Sequence, residues 1–192
     1  IIGETIIDQY VFCSALGKSG KEPILAFKDL NKEEYSGGAV AIAKHLSPFC
    51  KKISLISMLG EKGEYRDFIR SNIDKKITTK FILKKNSPTI LKKRFVDHIT
   101  KNKIFGIYKI NDDEISKKEK NKLINLIQDQ VHLYDLVIVS DYGHGFITKK
   151  VAKNIVSKSK FIALNTQINA ANTGYHSIDK YKNLDCVIIN EE

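Results

Sequence analysis

The chain has 192 residues, 42% of them hydrophobic and 28% charged, which is enough apolar material to bury a domain core. No apolar run approaches the roughly 20 residues that a bilayer-spanning helix needs, so we expect no membrane partner. The cysteines Cys13, Cys50 and Cys186 are odd in number and lie far apart. This spacing argues against a disulfide framework and predicts a reducing, cytoplasmic environment.

The formal net charge of +10 raises the question of a nucleic-acid partner. The basic residues are nearly all lysines, however, and the arginines are Arg66, Arg70 and Arg94 alone. Side chains that contact bases and phosphates favour the bidentate guanidinium of arginine. We therefore prefer solvated lysine faces and expect no nucleic-acid partner, although a nucleic-acid-binding α/β protein remains an alternative. A positive field would also suit a phosphorylated small substrate.

Buried strands followed by helices recur along the chain. Apolar runs of strand length cover residues 1–2, 52–57, 136–140, 161–164 and 186–189. The run at 136–140 is unbroken, which is typical of a parallel strand covered on both faces. Helices are predicted over residues 64–71, after the capping box of Ser116 and Glu119, and from Thr148 to about Lys158. The alternation predicts an α/β fold with a doubly wound, mainly parallel sheet flanked by helices.

A second pattern, alternation with period two, covers residues 9–14, 24–30, 78–83, 90–96 and 104–110. It predicts antiparallel strands with one solvated face, and residues 101–103 suit a hairpin turn. These strands fall in two blocks, so we predict an α/β core of residues 1–8, 36–76 and 111–192. A small β-sheet lid of residues 9–35 and 77–110 would cover the cleft at the carboxyl ends of the core strands. The open strand edges of such a lid suggest a homodimer through the lids.

Two short segments carry residues suited to binding a polyol. Gly3 follows the first apolar run, where we expect it to let the backbone turn, and Asp8 would lie at the cleft rim. Its carboxylate could accept hydrogen bonds from two sugar hydroxyls, although a simple turn aspartate is the alternative. Gly37 and Gly38 precede a helix of small residues, where backbone N–H groups can approach a ligand. The alternative there is a glycine hinge ahead of a tightly packed helix.

Five segments together resemble the amino-terminal part of the PfkB/ribokinase-type carbohydrate kinases, most closely the heptose 7-phosphate kinases. The opening Gly3-Glu4-x-x-x-Asp8-x-Tyr10 is similar to that family's Gly-Asp-x-x-x-Asp-x-Tyr, and residues 36–41 are similar to its Pro-Gly-Gly-Ala-x-Asn. Residues 136–145 resemble a strand followed by Ser-Asp-Tyr-Gly-Lys-Gly, and residues 89–95 resemble a lid strand with a Lys-x-Arg element. Residues 186–192 resemble a strand that enters an Asn-x-x-Glu motif. The segments follow the family's order along essentially the whole chain.

The resemblance implies a ribokinase-like fold and transfer of a phosphoryl group from ATP, with Mg²⁺, to a hydroxyl of a sugar or sugar phosphate. Substrate-binding positions carried over from the motifs are Asp8, Gly37, Gly38, Lys92, Arg94 and Asp141. Nucleotide- or phosphate-binding positions are Asn165 and Asn190, and no metal ligand is assigned. Some relatives are fused to a nucleotidyltransferase domain, so such a domain is a further expectation.

Several departures from the family pattern predict a changed substrate rather than a changed fold. Ala41 replaces the sugar-binding asparagine, Glu4 replaces the first aspartate, and His144 replaces the lysine of Ser-Asp-Tyr-Gly-Lys-Gly. Residues 165–167 read Asn-Thr-Gln where heptose kinases have Asp-Pro-Lys. The acidic run 112–114 is expected to favour the start of the following helix rather than to bind a metal.

The family's Gly-Ala-Gly-Asp segment, whose aspartate is the general base, has no counterpart in these residues. We therefore expect a fragment that contains no catalytic residue and is inactive alone, with sugar kinase activity in the full-length protein. The alternative is a non-catalytic, kinase-like module that binds or senses a sugar phosphate.

Overall fold

The computed structural model describes residues 1–167 and 178–189. Within them the strands are β1 (Ile2–Lys18), β2 (Leu25–Gly38), β3 (Ile53–Gly60), β4 (Ile77–Lys84), β5 (Ile90–Asp97), β6 (Lys103–Lys109), β7 (Val137–Asp141), β8 (Ile162–Thr166) and β9 (Cys186–Ile189). The α-helices are α1 (Ala39–Leu46), α2 (Arg66–Ser71), α3 (Lys117–Gln130) and α4 (Lys149–Lys158). None of these helices combines the length and apolar character needed to cross a membrane.

The core is a parallel sheet with the strand order β4-β3-β1-β7-β8-β9. One apolar cluster lies on the α3 and α4 side and includes Leu123, Ile127 and Ile155. The other lies on the α1 and α2 side and includes Ala43, Leu55 and Ile69. Two covered faces explain the unbroken apolar run of β7, and the predicted doubly wound, mainly parallel α/β sheet flanked by helices is confirmed.

β1 is a single strand that belongs to two sheets. Its first residues pair with β3 and β7 in the core, and from Thr5 onward it pairs with β2 and then β5. The expectation of a backbone turn at Gly3 is therefore wrong. Gly3 is needed for close packing, because a Cβ at this position would lie 2.2 Å from the Ser140 carbonyl oxygen of β7.

The second sheet, which we call the lid sheet, has the order β2-β1-β5-β6. Its pairings β1–β2 and β5–β6 are antiparallel as predicted, but β1 and β5 are parallel. Residues 77–84 were predicted in the lid, whereas β4 pairs in parallel with β3 at the edge of the core sheet. Ile77 lies in the apolar cluster on the α1 and α2 side, and Ile82 lies in the one on the α3 and α4 side. β4 is therefore a core strand with an apolar contact on each face, although its polar residues 78–80 resemble those of a lid strand. The other boundaries between core and lid stay predictions.

The helix starts follow the predicted capping. Ser116 accepts a hydrogen bond from Glu119 N at 3.3 Å while the Glu119 carboxylate accepts one from Ser116 N at 2.6 Å, which completes the capping box of α3. Thr148 caps α4 through Val151 N at 3.4 Å. α2 begins at Arg66, two residues after its predicted start.

Candidate functional site

Four of the six predicted substrate-binding residues lie on one face of the lid sheet. Asp8 on β1 is in register with Lys92 on β5, and Tyr10 with Arg94. Gly37 on β2 lies beside Asp8, since a Cβ at Gly37 would meet Asp8 Oδ2 at 2.4 Å. Residues in register on neighbouring strands share a face, so strand pairing brings together four of the predicted positions from three separate segments.

Asp8 and Arg94 form an ion pair in which the guanidinium donates to Asp8 Oδ1. Their side chains are 23% and 19% exposed, so water screens the pair only in part. Burial opposes the Arg94 charge, but the hydrogen bond and the negative charge of Asp8 outweigh it and raise the pKa of Arg94. The guanidinium also lies 5.6 Å from the ring centre of Tyr10, which holds it over β1.

Lys92 is a largely buried residue whose ammonium group has no anionic partner among the described residues. The residue is 8% exposed, and no ion pair or hydrogen bond of its Nζ is found within residues 1–167 and 178–189. Burial lowers the pKa of Lys92, and the negative charge of Asp8 opposes that shift. Its nearest aromatic neighbour is Tyr108, whose ring centre is 5.9 Å from Nζ. A partly desolvated cation without an anionic partner favours an anionic ligand.

Gly37 and Gly38 are required for two different reasons. At Gly37 the Asp8 carboxylate occupies the space of a side chain, as described above. Gly38 has φ of +60°, in the left-handed region, and a Cβ there would lie 2.3 Å from the Glu4 carbonyl oxygen. Both glycines therefore allow β2 to approach β1 closely where α1 begins, and this close approach explains them without a ligand at the helix end.

Asp141 ends β7 in a buried network rather than at an open surface. It is 1% exposed. Its Oδ2 accepts a hydrogen bond from Tyr181 Oη at 2.6 Å and pairs with Lys180 Nζ at 2.5 Å, while Oδ1 accepts from Gly143 N at 3.0 Å. The protein thus engages both oxygens, and substrate binding by Asp141 stays a prediction.

Glu4 holds the turn that follows β7. Its fully buried carboxylate accepts hydrogen bonds from Tyr142 N at 3.0 Å and His144 N at 3.2 Å. Burial, reinforced by the charge of Asp141, raises the pKa of Glu4 to about 7. Sequence reasoning noted Glu4 only as a departure from a motif. The position of Glu4 among the apolar residues that begin β1 was the available signal, because a buried carboxylate needs hydrogen-bond partners inside the protein.

His144 connects the same turn to the segment that leaves the lid. Its Nδ1 lies 2.7 Å from Asp112 Oδ1, and its carbonyl oxygen accepts from Lys84 Nζ at 3.1 Å. Burial lowers the pKa of His144, although the Asp112 hydrogen bond opposes this shift. Asp112 was expected only to favour a helix start. The helix begins instead at Lys117 and is capped by Ser116. The Asp112 carboxylate contacts the His144 imidazole.

The predicted nucleotide-binding position Asn165 is in register with Ser140 of β7, the residue before Asp141. The Asn165 side chain, on β8, donates to the Ile188 carbonyl oxygen at 3.2 Å, and Asn190 lies outside the described residues. In the part of the chain that the structure describes, no group of three or more His, Cys, Asp or Glu side chains could hold a metal ion.

Comparisons with known proteins agree with this fold. No family model matches the chain. It is 28% identical over 160 residues to the "Bifunctional protein HldE" of Nitratiruptor sp., covering 83% of this chain and 34% of that protein. It is 26% identical over 163 residues to the protein of the same name from Campylobacter jejuni, covering 84% and 33%. The chain thus spans about a third of the length of these curated relatives.

Solved structures show the same fold at low identity. Phosphofructokinase-2 from Escherichia coli in complex with fructose-6-phosphate superposes with a TM-score of 0.60 at 9% identity, covering 88% of this chain and 55% of that one. A possible 1-phosphofructokinase from Thermotoga maritima gives a TM-score of 0.62 at 15% identity, covering 86% and 53%. The resemblance indicated by the motifs is confirmed: in sequence the chain is similar to HldE proteins, and in fold to the PfkB/ribokinase-type sugar kinases.

Proposed function

We propose that this chain forms the acceptor-binding part of a carbohydrate kinase whose substrate is a sugar phosphate of the heptose 7-phosphate kind. The observation that carries the proposal is the unpaired ammonium of Lys92, a residue that is 8% exposed, in register with the carboxylate-bearing Asp8. An anionic group on the substrate would neutralise Lys92, and hydroxyl groups would donate to Asp8. A neutral sugar would leave the Lys92 charge desolvated and without a partner.

Arg94 would change its binding partner from Asp8 to the phosphate of the substrate. Without a ligand it pairs with Asp8, and a guanidinium can bind a phosphate through two nitrogen atoms. A sugar phosphate would therefore replace one carboxylate–guanidinium contact by two, namely hydroxyl to Asp8 and phosphate to Arg94. Gly37 is proposed to leave room for Asp8, and Asp141 and Gly38 to maintain the surrounding turns.

The donor side of the reaction is proposed for the whole protein. ATP would supply the phosphoryl group and Mg²⁺ would neutralise its charge, as in other phosphoryl transfers. The described residues fit neither group well, because Asn165 already bonds the Ile188 carbonyl oxygen and no three-ligand cluster is present among them. We therefore propose that both bind mainly to other parts of the protein, together with Asn190 and a general base.

A non-catalytic sugar-phosphate-binding or regulatory module is the second candidate. The acceptor residues would bind such a ligand without transfer, and the engagement of both Asp141 oxygens by the protein favours this reading. A fused nucleotidyltransferase domain and a cytoplasmic location are further proposals. Each residue of the lid strand β6 is exposed, which supports the proposed homodimer; a monomer in light scattering would contradict it.

The first test is binding by the full gene product, measured by calorimetry against heptose 7-phosphate, fructose 6-phosphate, the unphosphorylated sugars and inorganic phosphate. Lys92→Met should weaken sugar phosphate binding by about tenfold or more. Lys93→Met is the matched control, since Lys93 neighbours Lys92 on β5 and points to the other face. Equal losses in both variants, or equal affinity for phosphorylated and plain sugars, would contradict the proposal.

A second assay separates the two candidates. ADP release is followed with ATP, Mg²⁺ and each sugar phosphate that binds. Turnover that requires the sugar phosphate supports the kinase. Binding without turnover, with ATP also bound, supports the module. Affinity for random duplex DNA that falls steeply with salt would instead favour a nucleic-acid partner.

A further inference from the structure

A straight row of side chains crosses the lid sheet at the candidate site. Tyr35 on β2 is in register with Asp8 on β1, Asp8 with Lys92 on β5, and Lys92 with Tyr108 on β6. In-register residues on adjacent strands point to the same face. The order across the sheet is therefore aromatic ring, carboxylate, ammonium, aromatic ring. Because strands lie about 4.8 Å apart, the two tyrosines stand about 14 Å apart at their backbones, which is wide enough for one phosphorylated sugar between them.

Tyr35 presents its ring to a ligand in a restrained position. The residue is 52% exposed. Its ring packs edge-to-face on Tyr10 with centres 5.9 Å apart, and its hydroxyl donates to Glu33 Oε2 at 2.6 Å. An accessible aromatic ring that is held at both its edge and its hydroxyl loses little conformational entropy on binding.

The row also has a direction. The hydroxyl acceptor Asp8 adjoins the Tyr35 side, whereas Lys92 and Arg94 lie on β5 toward the Tyr108 side. Tyr108 faces the Lys92 ammonium at 5.9 Å and so belongs to the cationic end. An anionic sugar would match this order in one orientation only.

We propose that Tyr35 is the platform for the substrate's sugar ring, and that the substrate lies across the lid strands with its ring over β2 and β1 and its anionic group over β5. This inference rests on the proposed function and adds a specificity-determining residue to it. The apolar C–H face of a cyclic sugar stacks on the Tyr35 ring while the hydroxyls of its edge donate to Asp8. An acyclic polyol phosphate offers no such face.

The test compares Tyr35→Ala, Tyr35→Phe and Tyr108→Ala in the full gene product. The probes are the sugar phosphate that the unmodified protein binds best, glycerol 3-phosphate and inorganic phosphate, all by calorimetry. Tyr35→Ala should weaken the cyclic ligand roughly five- to tenfold and leave the other two within about twofold. Tyr35→Phe keeps the ring and should bind all three nearly as the unmodified protein does, which also verifies that β2 is intact.

Four outcomes are decisive. Cyclic-selective loss in Tyr35→Ala, with rescue by Tyr35→Phe, supports the inference. An unchanged Tyr35→Ala, or an equal loss for glycerol 3-phosphate, overturns it while leaving the proposed function standing. A cyclic-selective loss in Tyr108→Ala alone reverses the orientation and overturns it as well. Absence of any sugar phosphate binding by the unmodified protein rejects the proposed function and this inference together.

Discussion

At Gly37 the Asp8 carboxylate occupies the space where a side chain would lie. This close contact allows the effect of Gly37→Ala on the free energy of unfolding to be predicted. A Cβ at Gly37 would be 2.4 Å from Asp8 Oδ2 and 3.3 Å from the Ile6 carbonyl oxygen. Gly37 is not among the residues with positive φ, so backbone strain does not contribute. Gly37→Ala must therefore displace the carboxylate, and overpacking of this kind reduces the free energy of unfolding by about 1–3 kcal/mol.

The same substitution should be nearly harmless once the carboxylate is gone. Asp8→Ala alone loses the Arg94 ion pair, which is worth about 1 kcal/mol because both side chains are about one-fifth exposed. In that background Gly37→Ala meets only the Ile6 oxygen, and its effect should fall to about 0.5 kcal/mol or less, since alanine also restricts the unfolded chain. The double-mutant cycle should thus show a coupling of about 1–2 kcal/mol.

Urea denaturation followed by circular dichroism measures all four proteins of the cycle. Calorimetry on the folded variants adds a second readout, because a displaced Asp8 should weaken sugar phosphate binding in Gly37→Ala. If Gly37→Ala lowers stability equally with Asp8 and with Ala at position 8, the clash lies at the Ile6 backbone. The placement of Asp8 in the site would then be wrong.

Two further predictions concern the supports of the site. Burial and the charge of Asp141 raise the pKa of Glu4 from 4.5 to about 7, so between these values the folded chain keeps a proton that the unfolded chain has lost. The free energy of unfolding should therefore fall as pH rises from about 5 to 7, and Glu4→Gln should flatten that fall in urea denaturation; parallel slopes would refute the assignment. Ser116→Ala should lower stability by about 1 kcal/mol, and Glu119→Ala by about 2 kcal/mol, because Glu119 also accepts from Lys85 N at 2.7 Å. Equal effects of the two in thermal unfolding would show that the Lys85 contact contributes nothing.

Local features of the fold were predictable from the sequence because their causes are local. The residues of β7 form an unbroken apolar run because both faces of this strand are buried. The capping box of α3 depends on two side chains three residues apart. Asp8, Lys92 and Arg94 were predicted through motifs, and strand pairing brings them together, while their role in substrate binding stays a prediction.

Features that depend on which strands become neighbours could not be predicted in this way. β4 mixes apolar and polar residues as the lid strands do, and its place at the edge of the core sheet follows only from its pairing with β3. The row from Tyr35 to Tyr108 depends on the parallel pairing of β1 with β5, which joins segments that are distant in sequence. The internal partners of Glu4 and His144 have the same origin, since Glu4 bonds a turn that lies 138 residues further along the chain.

The continuity of β1 bears on how the site can select a ligand. From Gly3, which packs against Ser140, to Asp8 the strand has no break, and Asp8 is paired on both sides by β2 and β5. A hinge between residues 8 and 9 would break ladder hydrogen bonds on both edges of β1, which makes rigid-body lid closure at that boundary unfavourable. Asp8 and Lys92 are consequently held in register whether or not a ligand is bound. Discrimination between substrates should therefore arise from the exposed ring of Tyr35 and from release of Arg94, so variants at these positions should change affinity while the sheet stays intact.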